Sequence, residues 1–303
     1  MNWQGVCINL RFRIGGEVAR GRRGLVCHAV DLTDGAPVAL KLYDSPSPGE
    51  VPDAMAGADL LPIISLHHPN IVKTIDAGTF SPRPEIRHHY AAMEYAGGIT
   101  LRRLLDERGP LTAQEALQAA LQMCCALAEA HGRGVIHGNL RPENVFIDTE
   151  GAGDEGPVVR ISDFGDACLP GPVEHLFSCP WYLSPEQTGV SGSTVDGGTD
   201  IYALGVMLFE MVTGRLPFTA DSLVSLMYHQ SAGIRALPSG LQEILPPGLQ
   251  QIVLRCLERD PGQRYRSVAD LAEDLDRACA GVHNIVPRSP DTAAGAPCFV
   301  GRE

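Results

Sequence analysis

The 303-residue chain is short of positive charge, of aromatic residues and of long hydrophobic runs. It has 24 Lys plus Arg against 36 Asp plus Glu, a formal net charge of −12. That deficit argues against a nucleic-acid-coating protein or one held to anionic lipid, because both partners would repel it at long range. The longest apolar run, Ile201 to Val212, carries Glu210 and is too short to cross a bilayer, so no membrane segment is expected. Met1 to Leu10 shows no basic stretch leading into an apolar one, the pattern of a signal peptide. The nine cysteines are odd in number and form no CxxC pair. Neither a disulfide framework nor a zinc site fits that spacing, and reduced thiols in a cytoplasmic protein do. With 44% hydrophobic and 20% charged residues, the chain can bury a sizeable core.

Along the chain the character changes once. Arg11 to Glu17, Leu25 to Asp31 and Val38 to Tyr43 are short and β-rich. Thr33-Asp34-Gly35 between the last two marks a hairpin, since Gly accepts positive φ. Ile71 to Ala77 and Tyr90 to Glu94 are two further strand candidates. Asp53 to Leu66 has the length of a helix, against which Gly57 and Pro62 count. After Gly97-Gly98 helical patterns take over. Thr112 and Glu115 form a capping box, and Leu117, Ala120, Leu121, Cys124, Leu127 and Ala128 follow on one face of a helix ending at Gly132. Ile201 to Val212, Leu249 to Leu257 and Ser267 to Ala278 read as helices too. Residues 279–303 lack periodicity and read as a linker. No internal repeat is present.

A Gly-rich hairpin, Val38-Ala39-Leu40-Lys41, a distant Asn144 and Asp163-Phe164-Gly165 follow one another in order. With His68-Pro69-Asn70, Ser184-Pro185-Glu186, Asp200 and Arg264, this set resembles the protein kinase family, most closely the bacterial Ser/Thr kinases of eukaryotic type. The resemblance implies an α+β, bilobal kinase-like fold over residues 8–278. It puts an antiparallel β N-lobe at 8–95 and a larger helical C-lobe at 96–278, with a hinge near Tyr95 to Gly98. It also implies ATP and Mg²⁺ as cofactors, and roles position by position. Gly21 and Gly24 would bring backbone N–H groups to the phosphates; the first glycine of that loop is replaced by Ala19. Arg22 and Arg23 beside them either aid phosphate binding or are simply solvated. Lys41 would contact the phosphates and pair with an acid on the next helix, where Asp59 stands in place of Glu. Asn144 and Asp163 would hold the metal through hard oxygen donors. Met93-Glu94-Tyr95-Ala96 would form the hinge, with backbone groups of Glu94 and Ala96 bonding the base, and Val18, Val26, Ala39 and Phe146 would line the adenine slot. Glu186, Asp200 and Arg264 would hold the architecture of the large lobe.

The catalytic loop departs from the family. His-Arg-Asp-Leu-Lys-Pro-x-Asn is expected, and the chain reads His137-Gly138-Asn139-Leu140-Arg141-Pro142-Glu143-Asn144. Asn139 stands where an Asp accepts the substrate proton, and an amide is no base. Arg141 replaces the lysine that contacts the transferred group, although a planar fork is not a point charge. Cys179, a poor donor, replaces the hydroxyl residue that ties the activation segment to the loop. Gly138 replaces the arginine that pairs with a phosphorylated activation loop, so no switch of that kind is expected.

A scaffold kept while its chemistry is lost reads as a pseudokinase, a regulatory binding module. Two alternatives stand beside it: a slow but active Ser/Thr protein kinase, and a small-molecule phosphotransferase, whose loop also begins His-Gly. The tail Phe299-Val300-Gly301-Arg302-Glu303 resembles the opening of a signalling ATPase module, so the partner is expected to be another protein or a downstream domain of the same polypeptide. The sequence leaves the oligomeric state open.

Overall fold

A computed structural model describes residues 3–21, 24–43, 61–83, 86–148, 156–164, 180–218, 222–233 and 244–281. Asp59, Arg22, Arg23, Gly165 and Cys179 lie outside the described residues, as does most of the helix expected from Asp53. Only its end, α1 (Leu61–Ile64), is described.

The chain divides into two compact units. The first comprises Met1–Leu101, Glu129–Asn139 and Glu143–Pro180; the second comprises Arg102–Ala128, Leu140–Pro142 and Trp181–Glu303.

The first unit is built on an antiparallel sheet. Its strands are β1 (Cys7–Ile8), β2 (Phe12–Gly21), β3 (Gly24–Asp31), β4 (Pro37–Tyr43), β5 (Thr74–Arg83) and β6 (Ile86–Glu94), in the order β1-β2-β3-β4-β6-β5. Alternate residues of β3 and β4 face a core made of Leu25, Cys27, Ala29, Val38, Leu40 and Leu42, joined by Phe12, Ile14, Phe80 and Tyr90. This two-residue period makes the strands legible in sequence. The β3–β4 hairpin turns through Gly35 at φ 77, as its sequence predicts. One expectation needs correction: the strand expected from Ile71 begins at Thr74, and Ile71 makes only an isolated parallel bridge to Ile161. Ile71 and Val72 are apolar because they are buried, not because they lie in a strand.

The two edges of this sheet are tied together by polar contacts. Asn9, in the β1–β2 turn, donates through Nδ2 to the carbonyl of Thr79 on β5 and to the Tyr90 hydroxyl. Tyr90 in turn donates to Asp76. A second, three-stranded sheet joins β7 (Ile99–Thr100), β8 (Val145–Asp148) and β9 (Val158–Ile161).

The second unit is helical. Its helices are α2 (Leu101–Arg108), α3 (Ala113–Gly132), α4 (Gly197–Thr213), α5 (Leu223–Ala232), α6 (Pro247–Cys256) and α7 (Val268–Cys279); Leu101 and the last turn of α3 belong to the first unit. The capping box opens α3 as read from sequence: Thr112 N–H donates to Glu115 Oε2, and Glu115 N–H donates to Thr112 Oγ1. Almost every residue of α4 is buried, which explains a run apolar on all sides rather than on one face. Glu210 within it receives hydrogen bonds from Arg102 (2.7 Å) and Tyr182 (2.5 Å). Among the described residues, no helix is long and apolar enough to cross a membrane.

Candidate functional site

The face of β3 and β4 opposite the core carries Val26 and His28 on one strand and Ala39 and Lys41 on the other. Register pairs Val26 with Lys41 and His28 with Ala39, and Ala39 faces Met93 on β6. All four are half-buried, so this face is neither core nor open surface. The hairpin leading into it is fixed by Gly24, whose φ is 145 and whose added Cβ would stand 1.8 Å from the carbonyl oxygen of Leu42. Only glycine permits that approach. Lys41 reaches down from this face, and its Nζ lies 3.0 Å from Asp163 Oδ1, with side-chain exposures of 12% and 17%.

Asp163 is held by the polar residues preceding it. The buried His137 ring accepts the Asn139 N–H at Nδ1 (3.2 Å), so its own proton is on Nε2 and is donated to the Ser162 carbonyl at 2.9 Å. Ser162 N–H donates to the Asn144 carbonyl (2.9 Å), and the Asn144 side chain donates through Nδ2 to the Asn139 carbonyl (2.9 Å). These bonds lock the loop to the end of β9. They also set the orientation of Asn144: with its amide N–H₂ turned to Asn139, the amide oxygen faces the other way. Asp163 itself sits at φ 63, a left-handed conformation that costs a non-glycine residue about 1–2 kcal/mol and concentrates at functional sites. Phe164 packs on the His137 ring with centroids 4.8 Å apart.

This donor set fits a divalent cation. Asp163 offers carboxylate oxygen and Asn144 an amide oxygen, its Nδ2 being taken up by the Asn139 carbonyl, both hard ligands of the type Mg²⁺ takes.

At the end of β6, Glu94 N–H donates to the Lys73 carbonyl, and Glu94 Oε1 receives Lys73 N–H and Arg160. Tyr95, next in the chain, is 50% exposed.

In the second unit, Arg264 and Glu186 are both fully buried. Nη1 lies 2.7 Å from Oε1 and Nη2 2.8 Å from Oε2. Thr199 Oγ1 donates to the same carboxylate, and Arg264 also reaches the carbonyls of Glu258 and Gly198. Burial pushes the Glu186 carboxyl upward, but the hydrogen bonds and charge of Arg264 outweigh it and hold the group below its ordinary value.

The family model described as "protein kinase domain" matches residues 12–274. The chain belongs to the protein kinase family. Among curated relatives, this kinase domain is 35% identical over 226 residues to serine/threonine-protein kinase PknB of Mycobacterium tuberculosis, covering 74% of the chain and 35% of that protein. It is 31% identical over 273 residues to probable serine/threonine-protein kinase PknB of Lactococcus lactis, covering 88% of the chain and 41% of the relative. The chain thus spans well under half the length of these relatives. Among solved structures, the PknI kinase domain of Mycobacterium tuberculosis superposes with TM-score 0.68 at 23% identity, over 92% of this chain and 99% of that one. That likeness shows the fold, a bilobal α+β kinase fold with an antiparallel β N-lobe and a helical C-lobe.

Within the kinase domain, the structure brings Lys41 to Asp163 and ties Asn139, Asn144 and Asp163 through one set of hydrogen bonds. Val18 is exposed on β2, Met93 is buried on β6, Phe146 is half-buried on β8, and Gly21 pairs with Gly24 across the hairpin. Asp200 is fully buried in the first turn of α4. Sequence reading missed Ser162, the acceptor that anchors His137, and it missed the buried pairing of Glu210 with Arg102 and Tyr182. A signal for the second existed: Glu210 is the lone charge in the apolar run Ile201 to Val212.

Proposed function

We propose that this kinase domain binds ATP with Mg²⁺ and is impaired in phosphoryl transfer, acting as a pseudokinase. The observation that carries the reading is Asn139: its backbone is held in place by His137 and Asn144, while its side chain cannot take a proton. Losing a general base costs ~10²–10⁴ in rate, roughly 3–5 kcal/mol of barrier.

The residues around it support nucleotide binding. Lys41 places a cation where α- and β-phosphates would lie, and Gly24 lets the hairpin backbone approach them. Asn144 Oδ1 and Asp163 would hold Mg²⁺, which when bound neutralises phosphate charge. Val18, Val26, Ala39, Met93 and Phe146 would enclose the base. The Glu94 N–H is committed to Lys73, so a base amino group would meet the Glu94 carbonyl, and Ala96 would supply an N–H. Asp59 stands as the partner of Lys41 by its place in the sequence. Arg141 would bond the terminal phosphate in two directions, holding it rather than following its transfer. Glu186, Asp200 and Arg264 serve the architecture.

The same intact Lys41, Asn144 and Asp163 favour a second reading, a slow but active Ser/Thr protein kinase, since phosphoryl transfer leans on positioning and metal charge. Under either reading the domain covers residues 8–278, works in the cytoplasm, and has as its partner another protein or a further part of its own polypeptide.

Calorimetry with Mg·ATP tests the binding half. Saturable one-site binding that Asp163→Ala weakens supports the proposal, and absence of binding to the wild type overturns it.

A further inference from the structure

The two sheets of the first unit are joined by a short segment, Asn70 to Lys73. It runs along β9: the Ile161 N–H donates to the Asn70 carbonyl and the Val72 N–H to the Ile161 carbonyl, both at 2.8 Å, and Asn70 Nδ2 reaches the Val159 carbonyl at 2.7 Å. Its other end meets β6, where the Glu94 N–H donates to the Lys73 carbonyl at 2.9 Å. Of the two strands so joined, β9 leads into Ser162 and Asp163, and β6 leads into Tyr95 and Ala96.

A side-chain pair bridges the same two strands directly. Glu94 Oε1 accepts the Lys73 N–H and Arg160 Nη1, each at 3.2 Å. Arg160 lies on β9, three residues before Asp163. Both side chains of the ion pair are 37% exposed, and a pair so open to water adds little to overall stability. What it fixes is spacing, because it ties the end of β6 to β9 a short way from the metal ligand. A nucleotide bound as described above needs that spacing: the Glu94 carbonyl would meet its base, and Asp163 would meet its Mg²⁺.

We propose that Arg160 is a positioning residue for the nucleotide: through Glu94 it sets the spacing between the base-bonding backbone and the strand that carries Asp163, so that base and Mg²⁺ are engaged together. This rests on the ATP-binding reading above. ATP without metal uses the base contacts and Lys41. Mg·ATP must also reach Asp163 and Asn144, and a frame that is not already set has to be ordered before that further contact forms. The role of Arg160 is therefore read in how much Mg²⁺ adds to the affinity for ATP.

The test is a cycle of calorimetric titrations. Wild type, Arg160→Met and Arg160→Lys are each titrated with ATP in Mg²⁺ and in EDTA, and each protein is melted without nucleotide to check that it folds. Arg160→Met keeps an unbranched side chain without its charge, whereas Arg160→Lys keeps a charged donor for Glu94. Arg160→Met is expected to lose about 2- to 5-fold of the affinity gain that Mg²⁺ brings to the wild type, the worth of one partly exposed ion pair. Its affinity in EDTA should be unchanged, and Arg160→Lys should retain most of the gain. An Arg160→Met protein that keeps the full gain, or that loses affinity equally in Mg²⁺ and in EDTA, would overturn the positioning role while leaving ATP binding intact. A wild type that binds no ATP, or binds it no better with Mg²⁺, would overturn the ATP reading itself.

Discussion

Lys41 Nζ and Asp163 Oδ1 stand 3.0 Å apart with both side chains largely shielded from water. One comes from the fourth strand of the sheet and the other from the residue pair after β9. A hydrogen bond from the charged Lys41 to a phosphate oxygen would contribute about 1.5–3 kcal/mol. Lys41→Met is therefore predicted to weaken Mg·ATP binding by about 10- to 100-fold. Asp163→Ala should remove the difference between titrations in Mg²⁺ and in EDTA. An Asp163→Ala protein that keeps the wild-type Mg²⁺ dependence would count against Asp163 as a metal ligand.

The β1–β2 turn predicts a stabilising substitution. Asn9 and Leu10 both have positive φ (47 and 59), and Arg11 N–H closes the turn on the Ile8 carbonyl. Asn tolerates that conformation, whereas Leu does not, and the Leu10 side chain gains nothing in return because it is 90% exposed. Leu10→Gly should raise stability by about 0.5–1 kcal/mol, seen as a melting temperature a few degrees higher. A lower one contradicts the turn assignment.

Arg264 and Glu186 predict a loss. Removing either partner leaves a fully buried charge without its mate, which costs about 3–5 kcal/mol. Arg264→Met and Glu186→Ala should each lower the denaturation midpoint sharply, and the double variant should cost less than the sum. Additive losses would mean that the two groups are stabilised by other neighbours.

Acid should act through Asp31 in the first unit and Glu186 in the second. The Arg11 guanidinium, bonded to Asp31, together with Thr33, holds the Asp31 carboxyl at about 2 against an ordinary 3.8. A carboxylate whose pKa is lower folded than unfolded stabilises the fold above the unfolded value, and that contribution is lost as pH falls from there through the folded value. Stability should therefore decline between about pH 4 and pH 2. Asp31→Asn, less stable at neutral pH, should show a shallower decline over that window. An unchanged slope would place the acid sensitivity elsewhere.

Strands and helices with a local signature are legible in the sequence. Gly35 marked the β3–β4 hairpin, Thr112 with Glu115 marked the start of α3, and Ser267 marked that of α7, where it caps the N–H of Asp270. Elements without one were not. The strand β1 is two residues long, β8 and β9 are four each, and α2 follows the two-residue β7 directly. For α2 the surviving clue was its charge spacing, Arg102 with Asp106 and Arg103 with Glu107, one turn apart. At the site, Lys41, Asn144 and Asp163 were found through the order of family motifs. What joins them, His137 to Ser162 and Asn144 to Asn139, runs through backbone carbonyls, which leave no trace in residue identity.

On the proposed reading, Asn139 limits a site otherwise able to hold Mg·ATP. The most direct measurement is transfer of labelled γ-phosphate from Mg·ATP to the protein itself and to a generic Ser/Thr acceptor. Wild type and Asn139→Asp are compared, with Asp163→Ala as the blank. Wild-type transfer is expected to be no higher than the blank, and Asn139→Asp is expected to gain about 10²-fold or more. Wild-type transfer well above the blank that Asn139→Asp leaves unchanged would contradict it and show that positioning and metal charge suffice without a base.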